Sequence, residues 1–348
     1  MKIHTATKRT SIRRTLFGAV AGALGVTLAA WNAGAADFYR GKTMTLVVSA
    51  GAGGGYGLFS QLLAKHLPKY IPGEPKIVLQ YNGASGGLVA ANHLYNVAPK
   101  DGTAIGMLRS TLPISQVLRP SGIKYDAAKL TWIGRMTAEN SALGVWHKAP
   151  ATTLAAAMDK EIVIGAGGKS GALYIYPMIV KKITGARFKI VMGYRGTSDV
   201  VIAMERGEAH GVSADYQAWK AKWGHFIKDR RIVPIFQTGM KRLGELPDVP
   251  TLMDLAKTDD ERTIMRLLSA PAEIGKAISG PPGIPADRVE VLRRAFEAAI
   301  RDPELIAAAK ARNVAVNPRS GAELASLVAK ALATPKPLIE RTKALLEY

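Results

Sequence analysis

Short apolar stretches alternate along this chain with longer stretches in which apolar residues recur at helical spacing. Residues 45–48 predict a buried strand, and the leucines at 58, 62, 63 and 67 fall on one face of a predicted helix over 58–70. The glycine-rich segment 51–57 separates the two. The same order of strand, small-residue turn and helix is repeated over 76–80, 82–87 and 88–96, and residues 104–108 predict a third strand. This order is typical of βαβ units and predicts a parallel sheet.

A second block of the same kind begins near residue 138. Its predicted strands are 143–146, 161–165, 189–192, 211–215 and 232–236. Glycine-rich turns over 165–171 and 193–198 precede predicted helices over 172–183 and 199–206. The predicted C-terminal helices are 286–301, 303–312, 320–333 and 336–347, and they are long enough to pack back on the first block. Two α/β blocks of about a hundred residues each predict two domains with a cleft between them.

The small-residue loops indicate where a ligand would bind. In open α/β sheets, ligands bind at the carboxyl ends of the strands, where helix N-termini direct backbone N–H groups outward. All four small-residue loops are predicted to lie at that end. The pattern therefore favours a binding site in the cleft.

The N-terminal 35 residues have the pattern of a secretory signal peptide. Five positive charges and no acid precede an apolar run over 16–30, and Ala33, Gly34 and Ala35 form an A-x-A cleavage site. The apolar run is shorter than the roughly twenty residues that a transmembrane helix needs. The adjacent Arg13 and Arg14 favour export in the folded state, and an ordinary secretory segment with two neighbouring arginines explains them equally well. We expect a periplasmic protein cleaved near Ala35.

Composition limits the function classes. The chain of 348 residues is 48% apolar and has no cysteine, so we expect a packed core without disulfides or thiolate metal sites. Removing residues 1–35 takes away five positive charges and lowers the net charge from +20 to +15. Lysine and arginine are scattered in short groups rather than along one stripe, which favours a solvated surface or an anionic small ligand over a nucleic-acid partner.

Nucleotide and metal motifs do not match. The glycines of 51–57 lack the spacing of a dinucleotide-binding loop. Gly167, Gly168, Lys169 and Ser170 resemble the end of a P-loop, but Val163 stands where that motif needs its first glycine. No two of the six histidines have metal-ligand spacing. We therefore predict no cofactor and no metal.

One motif supports an alternative function, that of a secreted serine hydrolase. Residues 83–87 match G-x-S-x-G between a predicted strand and a predicted helix, so Ser85 has the position of a nucleophile. A downstream acid and histidine would have to complete it. The pairs with the right order are Asp199 with His210 and Asp215 with His225. Such a match arises easily in a glycine-rich chain, and Ser85 is equally suited to bind a ligand or to form a turn.

Loops of Gly, Ser, Thr, Ala and Asn suit binding better than catalysis. Backbone N–H groups that converge at helix N-termini can hold a carboxylate, and small side chains leave space for it and for bridging water. The loop composition, the predicted signal peptide, the two α/β blocks and the lack of an evident set of catalytic residues together indicate a solute receptor.

Five segments carry a resemblance to a known family. They are FYRGKT at 38–43, GGGY at 53–56, LVAANHLYN at 88–96, APKDGT at 98–103 and LPDVPT at 246–251. Together they resemble the Bug family, the periplasmic binding proteins of tripartite tricarboxylate transporters. The similarity spans nearly the whole chain after residue 35, and the segments 98–103 and 246–251 are its most specific parts.

The resemblance implies a two-domain periplasmic-binding-protein fold of the Venus-flytrap kind, type II-like and α/β. Domain I would comprise residues 36–137 and 241–348, and domain II residues 138–240. The protein would close on a small carboxylated solute by hinge motion and deliver it to the subunits of a membrane transporter. We expect a monomer without nucleic-acid partner.

The resemblance also implies the ligand-binding residues of the first domain. Members of the family hold a carboxylate largely through two loops. The matching residues are Gly53, Gly54, Gly55, Tyr56, Gly57, Ala84, Ser85 and Gly86.

Two positions depart from the family pattern. Many relatives carry Asp where this chain has Gly57, and Pro where it has Asn82. Because that Asp can meet a ligand ammonium, its absence argues against an amino acid. Loss of the acid would also enlarge the pocket and make it less negative, so we expect an anionic or bulkier aromatic acid.

Further candidates lie in loops after predicted strands. They are Ser110 in the first domain and Ser170, Arg195, Thr197 and Ser198 in the second. Asp215, at the end of a predicted strand, is a candidate by its position near the cleft. Arg195 can contact a carboxylate through two nitrogens, and a surface salt bridge is an equally good interpretation.

Overall fold

The structure, a computed structural model, describes Met1 and residues 38–348 apart from 120, 170 and 195. The predicted signal peptide over 1–35 and the candidate residues Ser170 and Arg195 lie outside the described residues.

The described chain alternates strands and helices. The strands are β1 Thr43–Val48, β2 Lys76–Tyr81, β3 Ala104–Met107, β4 Thr131–Arg135, β5 Ser141–Trp146, β6 Ile162–Gly165, β7 Phe188–Val191, β8 Gly211–Asp215, β9 Ile232–Gln237, β10 Ala277–Gly280 and β11 Arg319–Ser320. The helices are α1 Gly55–His66, α2 Leu88–Asn96, α3 Leu112–Leu118, α4 Ala156–Asp159, α5 Ala172–Thr184, α6 Thr197–Arg206, α7 Tyr216–Lys228, α8 Leu252–Leu255, α9 Asp259–Ile274, α10 Ala286–Ala299, α11 Pro303–Lys310, α12 Gly321–Leu332 and α13 Lys336–Leu346. Short 3₁₀ turns lie at Leu67–Tyr70, Ala84–Gly87 and Ala127–Lys129.

The first sheet has the strand order β11-β4-β10-β3-β1-β2. Strands β1, β2 and β3 are parallel, as the sequence pattern predicts for two consecutive βαβ units. Strand β10 is antiparallel to β3 and β4, so the sheet is mixed rather than purely parallel. The difference arises because β10 follows the whole second block in the chain and runs in the direction opposite to its neighbours β3 and β4.

The second sheet has the strand order β7-β6-β8-β5-β9. Strand β6 is parallel to β7 and β8, whereas β5 is antiparallel to β8 and β9. Pro234 lies in β9, an edge strand, where the missing N–H of a proline costs little.

Helices cover both faces of each sheet. The buried clusters of the first sheet include α1, α10 and α11 on one face and α2 and α12 on the other. Helices α6 and α7 cover one face of the second sheet. The other face packs with α5, and its buried cluster also includes α3, α9 and α13. The predicted C-terminal helices therefore do not all pack on the first block, since α13 joins the core of the second. Helix α9, which the sequence pattern did not predict, joins the same core.

One residue ties a chain crossing between the sheets to the segment that follows β9. The crossing runs from β4 to β5 and contains Asn140, whose side chain is buried. Its Oδ1 accepts the backbone N–H groups of Thr238 and Gly239, at 3.1 and 2.8 Å, just beyond the end of β9. Its Nδ2 donates to Gln237. These bonds hold the crossing from β4 to β5 beside the chain that leaves β9.

Candidate functional site

Two loops follow the parallel strands of the first sheet at their carboxyl ends. After β1, residues 51–54 are exposed, and α1 begins with neither a side-chain cap at Gly54 nor an acid in its first turn. After β2, the 3₁₀ turn Ala84–Gly87 is exposed except for Gly87. Ser85 and Gly86 adopt positive φ angles of 50° and 70° there. Both loops thus present backbone groups rather than charged side chains.

Two glycines allow these loops to approach the rest of the sheet. Gly87 has φ +93°, and a Cβ there would lie 2.7 Å from the carbonyl oxygen of Ser49. Gly57, buried in the first turn of α1, would place a Cβ 2.0 Å from the carbonyl oxygen of Ala52. In this loop conformation an aspartate at position 57 would therefore collide with the backbone of Ala52.

A cavity of about 70 Å³ lies where the loops of the two sheets meet. The residues that line it are Tyr56, Gly86, Arg109, Ser110, Thr111, Glu139, Ser141, Gly171, Ala172 and Tyr176. The first five come from the loops and helices after β1, β2 and β3. Gly171 and Ala172 form the start of α5, which has no side-chain cap. The wall therefore combines hydroxyl groups, one guanidinium, one carboxylate and helix N–H groups from both sides.

A buried ionic cluster lies beside this cavity. Lys276, with a side chain 1% exposed, places Nζ 3.1 Å from Oε1 of Glu139 and 3.1 Å from Oδ2 of Asp215. The ammonium also lies over the ring of Tyr56. The Tyr56 hydroxyl donates to Oε2 of Glu139 at 2.5 Å and accepts the Ser110 N–H at 2.8 Å. Ser110 Oγ donates to the same carboxylate oxygen at 2.8 Å. Residues of both sheets and of the crossing thus share one network.

The electrostatics of the cluster follow from one cation between two carboxylates. Burial opposes the ionisation of Glu139, but Lys276 and the two hydroxyl donors outweigh it and hold its pKa below the usual value. Burial raises the pKa of Asp215, which shares the same ammonium. Burial would lower the pKa of Lys276, yet Asp215 and Glu139 raise it. Glu139 and Lys276 are therefore the charged pair next to the cavity.

The structure brings together only part of the predicted site. Tyr56, Gly86 and Ser110 line the cavity. Gly53, Gly54, Ala84 and Ser85 are exposed in the two loops, and Gly55 lies against Lys276 and Asp215.

The candidates of the second sheet lie elsewhere. Thr197 begins α6, and Ser198 accepts a hydrogen bond from Lys222 at 2.8 Å. Asp215 pairs with Lys276 and caps α7 through the N–H of Gln217. Thr197, Ser198 and Asp215 are not among the residues that line the cavity.

Sequence reasoning missed several lining residues. Arg109 directly precedes Ser110 at the end of β3, so its position was a usable signal. Glu139 belongs to the crossing between the sheets, Ser141 begins β5, and Tyr176 lies one turn into α5. Lys276 is separated by 61 residues from Asp215, and no local pattern indicates their contact.

One residue of each pair that could complete a serine hydrolase has another partner. His210 accepts the N–H of Val163 at its Nδ1, at 2.9 Å, and burial lowers its pKa. Asp215 pairs with Lys276. Among the described residues, no hydrogen bond joins Ser85 to a histidine.

Two other features lie away from the cavity. A groove of about 780 Å³ runs between α7 and residues 310–315, and Lys220, Lys222, Lys228 and Lys310 line it. Elsewhere, His66, Asp302 and Glu304 lie together at the junction of α1 and α11. The ammonium of Lys69 lies 3.5 Å from Asp302 Oδ2, so that carboxylate already faces a cation.

A family model and a curated relative match this chain. The model described as "Tripartite tricarboxylate transporter family receptor", TctC, matches residues 63–344. A Cupriavidus necator protein, the "UPF0065 protein in gbd 5'region", is 28% identical over 256 residues, which cover 71% of this chain and 74% of the relative.

Solved structures share the fold. The periplasmic binding protein BugD superposes with a TM-score of 0.66 at 16% identity over 87% of this chain and 98% of its own. A Rhodopseudomonas palustris protein with adipate gives 0.66 at 20% identity, over 88% and 98%. MatC from the same organism, with bound malate, gives 0.64 at 17% identity, over 88% and 99%. The two-domain binding-protein fold expected from the sequence is confirmed. Among the described residues, every helix is too short or too polar to cross a membrane.

Proposed function

We propose, from the premise that the chain belongs to the tripartite tricarboxylate transporter receptor family, that it is a periplasmic receptor which captures a small organic acid between its two sheets. The observation that carries the proposal is the cavity whose walls come from both sheets. Tyr56 and Ser110 stand on one side, and Gly171 and Tyr176 on the other. A solute that contacts both walls stabilises the arrangement in which they are close.

An organic acid suits the chemistry of this wall. Arg109 carries a positive charge, and Gly171 and Ala172 begin a helix without a side-chain cap. The carboxylate of Glu139 already accepts from Tyr56, Ser110 and Lys276, so it offers little to the ammonium of an amino acid. Structural neighbours with malate and adipate support the same class.

The proposed mechanism is hinge closure without covalent chemistry. We assign residues 36–137 and 241–348 to domain I and residues 138–240 to domain II, in keeping with the strands that each sheet contains. Helices α9 and α13, which follow residue 240, pack on the second sheet and would bridge the two domains. The crossing at Asn140 would be the hinge. The receptor would act as a monomer, without cofactor, metal or nucleic acid, and would make and break no bond.

The proposed location follows from the first 35 residues and the family. The chain would be exported, cleaved near Ala35, and would hand its solute to the membrane subunits of a tripartite transporter. Mass spectrometry of protein isolated from the periplasm tests the cleavage site directly.

A ligand screen tests the binding function. Periplasmic protein is heated with mono-, di- and tricarboxylates, aromatic acids and amino acids, and the unfolding temperature is recorded. A ligand at a hundred times its dissociation constant stabilises the fold by roughly 2.7 kcal/mol, which raises the unfolding temperature measurably. A shift with one class of acid supports the receptor and names the class. Hydrolysis of a chromogenic ester, abolished by Ser85→Ala, would contradict it.

A further inference from the structure

Arg109 is held in place on the cavity wall by the chain around it. Its backbone N–H donates to Ser49 Oγ at 2.6 Å, and its Nε donates to the Ser49 carbonyl at 3.1 Å. The guanidinium lies 5.8 Å from the centre of the Tyr56 ring. These contacts fix the side chain while using only one of its three nitrogens.

The other two nitrogens of Arg109 have no partner in the described part of the chain. Arg135 provides the comparison, because it is buried and uses all three nitrogens, on Glu273 and Asn317. A guanidinium has five N–H donors in a flat fork that matches a carboxylate. Arg109 therefore has the terminal edge of its fork available.

The charge of Arg109 is also unmatched within the cavity. Among the described lining residues, Glu139 is the sole carboxylate, and its charge faces Lys276 at 3.1 Å. Oε2 of Glu139 already accepts hydrogen bonds from Tyr56 and Ser110, and Oε1 forms an ion pair with Lys276. A ligand that enters this cavity thus meets one uncompensated positive charge.

We propose that Arg109 is the specificity-determining residue of the receptor, and that its two free nitrogens bind an acid group of the solute. This inference rests on the proposed function and adds to it the group that distinguishes an acid from its neutral analogue. A carboxylate accepts two parallel hydrogen bonds from the fork, whereas a carboxamide offers one acceptor and carries no charge. The receptor should therefore reject the amide of the acid that it binds.

The test compares acids with their amides in wild-type and variant protein. Malate, succinate, glutarate, adipate and benzoate are titrated by calorimetry beside their mono- and diamides, or benzamide. In the wild type, the acid should bind at least about tenfold more tightly than the amide at the recognised group, since hydrogen bonds between charged groups are the stronger ones. In Arg109→Gln, the two affinities should come within about threefold of each other. Arg109→Lys should be intermediate, because lysine keeps the charge but lacks the fork.

A matched control exists at the opposite end of the first sheet. Arg288 also donates to a backbone carbonyl, that of Asp101, and lies on an aromatic ring, that of Phe38. Arg288→Gln removes the same charge and the same kind of contact away from the cavity. It should leave the acid-to-amide ratio at the wild-type value.

The outcomes separate the two proposals. If an acid binds and Arg109→Gln weakens acid and amide equally, Arg109 has only a structural role and the inference is overturned while the receptor stands. If the wild type binds none of the acids, the proposed function fails and the inference fails with it. Both the receptor function and the role of Arg109 are supported if the acid-to-amide affinity ratio falls in Arg109→Gln and stays at the wild-type value in Arg288→Gln.

Discussion

Lys276 determines the electrostatics beside the cavity, because its ammonium contacts both Glu139 and Asp215. Replacing it by Met should leave two buried carboxylates without a counter-charge. Removing one partner of a buried ion pair costs roughly 3–5 kcal/mol. Urea denaturation should therefore show a large loss for Lys276→Met.

A second lysine controls for the loss of a charge as such. Lys182 pairs with Glu347 at 2.9 Å, but both side chains are open to solvent, at 36% and 48% exposed. Water screens that pair, so Lys182→Met should have a much smaller effect. Equal losses in the two variants would mean that the burial of Lys276 does not matter.

The charge of Glu139 predicts how stability depends on pH. In the unfolded chain this carboxyl takes up a proton near its ordinary pKa of 4.5, whereas in the fold Lys276 and two hydroxyl donors hold the pKa lower. The charged form therefore stabilises the fold above about pH 4.5, and this contribution is lost as the pH falls through the folded-state pKa.

Glu139→Gln isolates that contribution. The free energy of unfolding of wild type and variant is measured from pH 7 to pH 3. The advantage of the wild type should be constant above about pH 5 and shrink as the solution becomes more acidic. A difference that grows towards low pH would contradict the assignment and would point to Asp215, whose pKa is raised.

At the scale of elements, the loop after β1 depends on the absence of a side chain at position 57. A Cβ there would lie 2.0 Å from the carbonyl oxygen of Ala52. Gly57→Ala should therefore displace the loop and destabilise the fold by about 1–3 kcal/mol. Gly53→Ala is the control, because no atom lies within 4 Å of a Cβ at Gly53 and this residue precedes the N-cap of α1. Thermal unfolding that is unchanged in Gly57→Ala would show that the loop has room to move.

Local pattern explains which elements the sequence could predict. Strand β1, the glycine loop and α1 are neighbours in the chain, so alternation of apolar and small residues suffices to order them. The pattern placed Tyr56, Gly86 and Ser110 near the carboxyl ends of strands, and they line the cavity. Strand β10 was not predicted, and its antiparallel entry depends on a return across the whole second block.

Long-range contacts explain what the sequence could not predict. Glu139, Asp215 and Lys276 are ordinary charged residues in their own segments, and only the folded chain makes them a buried cluster. Thr258 and Glu261 form a capping box at the start of α9, a local signal that could have predicted this helix. That α9 would pack with the second sheet, however, follows from tertiary packing alone.

At the scale of the whole molecule, the proposed function requires the two sheets to move relative to each other. Residues from both sheets line the cavity. In the crossing from β4 to β5, Asn140 accepts hydrogen bonds from Thr238 and Gly239. A solute that bridges the walls should shift the equilibrium towards one relative position, whereas a solute bound to one wall would not.

The absence of cysteine from the sequence makes this motion directly measurable. Lys228 in α7 and Lys310 at the end of α11 are exposed on opposite sides of the wide groove between the two parts of the molecule. Spin labels on a Lys228→Cys and Lys310→Cys pair should report a changed distance distribution when the recognised acid is added. The pair Lys65→Cys and Lys310→Cys is the control, since α1 and α11 share one buried cluster and should move together. Identical distributions across the groove with and without an acid that binds would contradict hinge closure, because binding would then leave the two sheets where they are. A change in both pairs would instead locate the motion within the first sheet and its helices.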